Sequence, residues 1–342
     1  MSAIDEPTED EDVLAFSREL QRRLVESPPL TCPITYNGPE SERFAPAIDR
    51  LQLQVLLMQH VHPWLTLESL ESMVFHHDYA LALREVSAKV GKTATATSEA
   101  TGIGLAMVVP NGDKCIVVCD AGLAFHVVDD SDVARQNLCI DTVMHELCHV
   151  YDQGRRRRLL GHELPRIPLQ ALQGHVFNAA DSAYAEYFAN RYSHSTCSSP
   201  DMHPKNLAEV VPLVAGDIRA ALDAFNVEPR VEDLLAVCRA KVRFLFQCFG
   251  YAAGRLSALE ATLADVAAGS VDALRAAGLY ETWLAVHAEL DHLDECRESW
   301  SSFQELSGLM ALADSVYRHF GVVISEGPNG LRLDLTEPEG SA

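Results

Sequence analysis

Two histidines and a glutamate stand at a spacing that suits metal-dependent chemistry. Residues 141–152 read DTVMHELCHVYD, in which His145, Glu146 and His149 form the motif H-E-x-x-H. Residues four apart lie on one face of a helix, about one turn from each other, so both imidazoles can reach a single zinc ion. The glutamate after the first histidine is then placed to take a proton from a water that the metal activates.

A carboxylate further along the chain can complete this set. Glu186 lies in a predicted second helix, because neither glycine nor proline interrupts residues 178–195 and apolar residues recur there. Two histidines, one glutamate and an open fourth position are the coordination of a catalytic zinc site. We therefore predict Zn²⁺ bound by His145, His149 and Glu186, with Asp181 or no metal at all as the alternatives.

Further polar residues can support such a site. Asp152 lies three residues after His149 on the same helical face, where it either holds a ligand histidine, binds the metal directly or is a plain helix-end carboxylate. Asn190, one turn beyond Glu186, is predicted to brace the site by hydrogen bonding. Hydrolysis also needs a group that stabilises the oxyanion, and the sequence offers four candidates without choosing among them: Tyr184, Tyr187, Tyr192 and His175.

The motif and the later segment Glu186-Tyr187-Phe188-Ala189-Asn190 together resemble the gluzincin metallopeptidases. The resemblance is closest to the ImmA/IrrE type, whose third ligand is the glutamate of such an E-x-x-A-N segment. Residues 145–155, HELCHVYDQGR, are also similar to mitochondrial inner-membrane metalloproteases that process an ATP synthase subunit. These resemblances cover residues 105–195. They imply a zincin-like core, Glu146 as the catalytic base, and an intracellular protein substrate cleaved at a limited site.

Two other hypotheses compete with this one. In GHEL (161–164), His162 stands about where SprT-like proteases, which act on proteins crosslinked to DNA, have their third ligand. That hypothesis predicts activity stimulated by DNA, whereas the net charge of −22 opposes nucleic-acid binding. The third hypothesis is a non-catalytic zinc-binding interaction protein.

Composition favours a cytoplasmic protein. The nine cysteines are scattered and form no C-x-x-C pair, which is typical of reduced thiols. The acidic start, MSAIDEPTEDED, does not resemble a signal peptide, and no apolar run reaches the roughly 18–20 residues that span a bilayer. We expect a protein or peptide substrate, no membrane partner and no nucleic acid as the partner. The oligomeric state is left open.

Hydrophobic periodicity predicts a mainly α fold with a small antiparallel β-sheet and an all-α C-terminal extension. The resemblance to the gluzincins implies that the helices and the sheet before this extension form a zincin-like α+β catalytic core. The predicted divisions are an acidic tail and helix (1–50), the metallopeptidase domain (51–204) and a helical region (205–342). Asn111-Gly112 between two β-rich runs predicts a hairpin of residues 103–109 and 115–119. A hairpin before the motif suits zincins, which hold extended substrates against an edge strand.

The remaining elements are predicted from periodicity and from breaking residues. Residues 30–46 are expected to form a loop, 67–90 a helix and 127–128 a short strand. Asp132 is a predicted helix N-cap, Gly154 a predicted helix end, and Arg155 to Arg158 a solvated loop. Further helices are predicted at 11–27, 51–65, 204–225, 231–259, 271–278, 282–296 and 300–320, with a C-terminal hairpin at 322–335.

Overall fold

The protein is mostly helical with small β-sheets, which confirms the predicted class. A computed structural model describes residues 9–94, 98–99, 102–161, 171–194, 199–327 and 330–336. The chain forms two compact units, one of Met1–Ala96 with Gly104–Tyr151 and one of Thr97–Ile103 with Asp152–Ala342. The sequence-based division at residues 50 and 204 stays a prediction. Within the described residues, no helix combines the length and apolar character needed to cross a bilayer.

The elements are numbered in chain order. The strands are β1 (Ile34–Asn37), β2 (Leu70–His76), β3 (Ser98–Glu99), β4 (Gly102–Ile103), β5 (Ala106–Asn111), β6 (Lys114–Asp120), β7 (Val322–Gly327) and β8 (Gly330–Leu335). The helices of the first 160 residues are α1 (Glu9–Glu26), α2 (Phe44–Val61), α3 (Tyr79–Lys89), α4 (Ala121–Val127) and α5 (Val133–Leu160). The later helices are α6 (Ala171–Ser193), α7 (Met202–Val227), α8 (Val231–Leu259), α9 (Leu263–Val266), α10 (Ala268–Ala276), α11 (Tyr280–Glu295) and α12 (Ser307–His319).

The first unit is built on a four-stranded sheet of order β1-β2-β6-β5. The predicted hairpin is confirmed: β5 and β6 pair antiparallel, and Gly112 supplies the positive φ of +57° that their tight turn requires. However, β1, β2 and β6 run parallel, so the sheet is mixed and not antiparallel as expected. Helix α3 covers it by packing Ala82, Leu83 and Val86 against Val109 and Val118.

Three predicted elements of this unit are wrong. Residues 67–90 are predicted to form one helix, but residues 70–76 form strand β2. A separate helix, α3, follows Asp78, whose carboxylate caps it by accepting a hydrogen bond from the Leu81 N–H at 2.9 Å. The predicted loop at 30–46 contains β1, whose order comes from parallel pairing with β2 far along the chain. Residue 127 does not start a strand but is the last residue of helix α4. That helix begins after Asp120, whose carboxylate accepts a hydrogen bond from the Gly122 N–H.

Helix α5 carries the H-E-x-x-H motif and is longer than predicted. It begins after Asp132, whose carboxylate accepts the Arg135 N–H at 3.0 Å, as the N-cap prediction requires. It does not end at Gly154 but continues to Leu160. The expectation of a solvated arginine loop is therefore wrong: Arg155 and Arg156 are helical and buried, because Asp152 and Asp181 pair with their charges.

The second unit is helical apart from small hairpins. The prediction of α8 at 231–259 and of a C-terminal hairpin, here β7 and β8, is confirmed. Helices α6 and α8 approach each other through their backbones. A Cβ added at Gly250 would lie 2.2 Å from the carbonyl oxygen of Ala183, and one at Gly254 would lie 2.3 Å from that of Tyr187. Only glycine fits at these two crossings.

We expect Gly254→Ala to lower the free energy of unfolding by about 2–3 kcal/mol, because the new methyl group must push two helix backbones apart. Urea denaturation of the purified protein measures this. The matched control is Gly216→Ala on α7, where nothing lies within 4 Å of the added Cβ. That substitution should add about 0.5–1 kcal/mol of stability through helix propensity. Equal stability of Gly254→Ala and the parent protein would contradict the close α6–α8 crossing.

Candidate metal centre

Helix α5 presents its two motif histidines toward one point. His145 and His149 are four residues apart and both half-buried. Their Nε2 atoms lie 3.0 Å from each other, with the ring planes at 87°. In a tetrahedral zinc site with bonds of about 2.0–2.1 Å, two ligand nitrogens are about 3.3 Å apart. The two imidazoles therefore already have the separation of a ligand pair.

Helix α6 supplies the third candidate ligand, Glu186. One ligand atom from each of His145, His149 and Glu186 lies within 4.8 Å of the others, and all three residues are half-buried. This donor set of two imidazoles and one carboxylate can hold a metal ion, and its chemistry suits zinc.

Glu146 lies within the same turn of α5 and is nine-tenths buried. Its negative charge acts on Tyr79, the first residue of α3: burial raises the pKa of the Tyr79 phenol, and the Glu146 charge raises it further. The Tyr79 hydroxyl is buried, with no hydrogen-bond partner among the residues that the structure describes. Tyr79 is thus a neutral phenol that senses the charge of the predicted base, and no sequence motif marks this residue.

The predicted supporting residues have defined partners. Both oxygens of Asp152 accept hydrogen bonds from Arg155 and Arg156, so its carboxylate is the centre of a buried ion-pair network and not a helix-end group. Asp181, the alternative ligand, accepts from Arg156. Asn190 donates from Nδ2 to the backbone carbonyl of Glu186 at 3.0 Å, so it contacts the peptide group and not the carboxylate.

The four predicted oxyanion candidates are engaged in other contacts. The Tyr184 hydroxyl accepts from Arg155, that of Tyr187 donates to Asp291 at 2.6 Å, and that of Tyr192 donates to Asp294 at 2.6 Å. Nδ1 of His175 accepts from Arg239. His175 also precedes Glu186 by 11 residues on α6, which is about 16 Å along a helix axis. All of these hydrogen bonds lie within the second unit.

His175 makes the stability of the fold depend on pH. Burial, followed by the positive charge of Arg239, lowers the pKa of His175 to about 4 from its usual 6.5. The folded protein thus holds this imidazole neutral, while the unfolded chain takes up a proton below pH 6.5. The contribution of His175 to the free energy of unfolding is therefore fully present above pH 6.5. It falls as the pH is lowered toward 4, by up to about 1.4 kcal/mol per pH unit.

We expect His175→Gln, which keeps an acceptor for Arg239 but does not titrate, to flatten this part of the stability profile. Urea midpoints measured from pH 4 to pH 7 for both proteins provide the comparison. Other groups titrate in the same range, so the difference between the two profiles is the informative quantity. Identical slopes would show that His175 is not held neutral.

Sequence reasoning missed the residues that contact Glu186 from α8. Gln247 donates from Nε2 to Glu186 Oε1 at 2.9 Å and to the Tyr251 hydroxyl at 3.0 Å. The ring of Tyr251 stacks on His203 of α7, with centroids 4.8 Å apart. No motif marks these residues, although the Gly250–Gly254 spacing signals a close helix crossing next to them. His162, the ligand predicted under the SprT-like hypothesis, lies outside the described residues.

Comparison with protein-family models, with curated proteins and with solved structures finds no match to this chain. The arrangement of the side chains is therefore the basis for the functional assignment.

Proposed function

We propose that this protein is a zinc-dependent metallopeptidase that hydrolyses peptide bonds of a protein substrate. The observation that carries the proposal is the convergence of His145, His149 and Glu186, whose ligand atoms lie within 4.8 Å of one another. The position of Glu146 in the same helical turn supports it, since a structural metal site needs no buried carboxylate beside its ligands.

A bound zinc ion would supply Lewis-acid chemistry, polarising the substrate carbonyl and making a water molecule more acidic. The protein itself moves the protons. Glu146 accepts a proton from the attacking water and later passes it to the nitrogen of the departing amine. Its burial keeps the carboxylate out of bulk solvent.

The sheet of the first unit offers a way to hold a substrate. Strand β5 is at the edge of the four-stranded sheet, paired only with β6 within that sheet. An extended peptide can add to such an edge through backbone hydrogen bonds, which bind a chain without demanding a particular sequence. This supports a protein substrate over a small amide.

The test is the metal content of the purified protein by elemental mass spectrometry, together with its activity on an unfolded protein such as casein. We expect about one zinc per chain in the wild type, lost in Glu186→Ala because two imidazoles alone bind zinc weakly. His162→Ala, the matched control, should keep its zinc. Loss of zinc from His162→Ala and not from Glu186→Ala would move the assignment to the SprT-like hypothesis. A wild type that binds no zinc even when it is supplied would overturn the proposal.

A further inference from the structure

Helix α8 reaches the carboxylate of Glu186 with an uncharged donor. The primary amide of Gln247 has two N–H groups, and it directs one to Glu186 Oε1 at 2.9 Å and the other to the Tyr251 hydroxyl at 3.0 Å. All three side chains are half-buried. The amide thus has both donors used, and its orientation is fixed at two points.

The packing of α8 on α6 sets this contact. Arg243, one turn before Gln247, donates to Ser182, one turn before Glu186, at 3.1 Å. The Gly250 and Gly254 crossings, about one and two turns after Gln247, bring the α8 backbone against α6. The two helices thus keep one register over three turns, and Gln247 stands where a side chain of its length meets Glu186.

The chemistry of an amide suits a partner of a metal ligand. Partners of this kind orient ligands, and their removal typically weakens metal binding 10- to 100-fold. A lysine or arginine at this position would also donate to Glu186, but its positive charge would oppose a divalent cation nearby. Gln247 donates a hydrogen bond to Glu186 without placing a positive charge beside that carboxylate.

We propose that Gln247 is a positioning residue for Glu186, which it holds in the orientation that completes the metal site, and that Tyr251, stacked on His203, fixes Gln247 in turn. This inference rests on the proposed function, because it assigns a purpose to the hydrogen bond only if Glu186 binds a metal. It concerns residues that lie outside the H-E-x-x-H and E-x-x-A-N segments.

The first experiment measures zinc affinity, by competition with a chromophoric chelator, for the full-length protein and for Gln247→Met. Methionine has a similar length and no N–H donor. We expect the Kd for zinc to rise 10- to 100-fold and the visible absorption spectrum of the Co²⁺-loaded protein to change. The urea midpoint of the metal-free protein should stay the same. The matched control is Arg243→Met, which removes the α8–α6 hydrogen bond one turn away and should leave both metal readouts unchanged.

Two more variants separate charge from packing. Gln247→Lys should weaken zinc binding more than Gln247→Met does, because it brings a cation against Glu186, and it decides the question if the methionine variant fails to fold. Tyr251→Phe keeps the ring on His203 and the amide on Glu186, and should lose less affinity than Gln247→Met.

The outcomes distinguish this inference from the function on which it rests. Suppose that the wild type binds zinc and that Gln247→Met and Gln247→Lys have the same Kd and the same Co²⁺ spectrum as the wild type. The positioning role is then overturned and the metal site stands. An equal loss in Arg243→Met would also overturn it, by showing that general α8–α6 packing is responsible. If the wild type binds no zinc, the proposed function and the inference both fail.

Discussion

Glu146→Gln should lower kcat/KM for peptide hydrolysis by about 10²- to 10⁴-fold, which corresponds to about 3–5.5 kcal/mol of transition-state stabilisation. Glutamine has the shape of glutamate but does not accept a proton at neutral pH, so the variant loses both proton transfers. Glu146 is not among the three residues that can hold the metal, and the zinc content of the variant should therefore equal that of the wild type.

The experiment compares kcat/KM and bound zinc in matched preparations. Glu209→Gln, which makes the same chemical change at an exposed position on α7, is the control and should keep full activity. Glu146→Asp withdraws the carboxylate by one methylene, and its kcat/KM should lie between those of Glu146→Gln and the wild type. Full activity in Glu146→Gln would remove Glu146 from the mechanism. A wild type that binds zinc but hydrolyses no peptide would favour a non-catalytic zinc-binding protein.

The positions of the candidate ligands could be predicted, because they depend on residues that are close together in the sequence. The spacing of His145 and His149 fixes their common face once α5 forms, and the hairpin before them follows from one Asn-Gly pair. Glu186 could be predicted for a related reason. Its helix is alanine-rich and uninterrupted around this residue, so it can be recognised without information from the rest of the chain. In each case a few neighbouring residues determined the structure.

The errors arise where distant parts of the chain decide the structure. Strand β1 is four residues long and is ordered by β2, whose residues begin more than thirty positions later. An arginine is a good helix former, but nothing in its neighbouring residues shows whether its side chain is buried. The burial of Arg155 and Arg156 depends on ion pairs with Asp152 and with Asp181 of α6. Four consecutive arginines alone therefore favoured a solvated loop.

Gln247 shows the same limit for the site itself. It lies 61 residues after Glu186 and belongs to no recognisable motif, so only the α6–α8 crossing brings it to that carboxylate. The two glycines that permit the crossing are visible in the sequence, but their partners on α6 are not. The candidate ligands can be found from their spacing, whereas the side chain that donates a hydrogen bond to one of them can be found only from the fold.

Asp152→Asn should lower the free energy of unfolding by about 3–5 kcal/mol, because it leaves buried arginine charge without its carboxylate. Asp152 is 1% exposed and Arg155 is fully buried. Burial raises the pKa of Asp152, but the charges of Arg156 and Arg155 outweigh burial and keep this pKa below its usual value. This contribution to stability is therefore present at neutral pH and is lost only as the pH falls below about 4.

Urea denaturation at pH 7 tests this, with Asp181→Asn as the control. Asp181 also pairs with Arg156, but its side chain is 38% exposed, so its loss should cost no more than about 1 kcal/mol. Adding Arg155→Met to Asp152→Asn removes the uncompensated charge and should restore much of the lost stability, since an apolar side chain can replace a buried ion. A loss in Asp152→Asn no larger than that in Asp181→Asn would mean that Asp152 is not the centre of this network. Because Asp152 lies three residues after His149 on one helix, the same network stabilises the α5 turn that follows this candidate ligand.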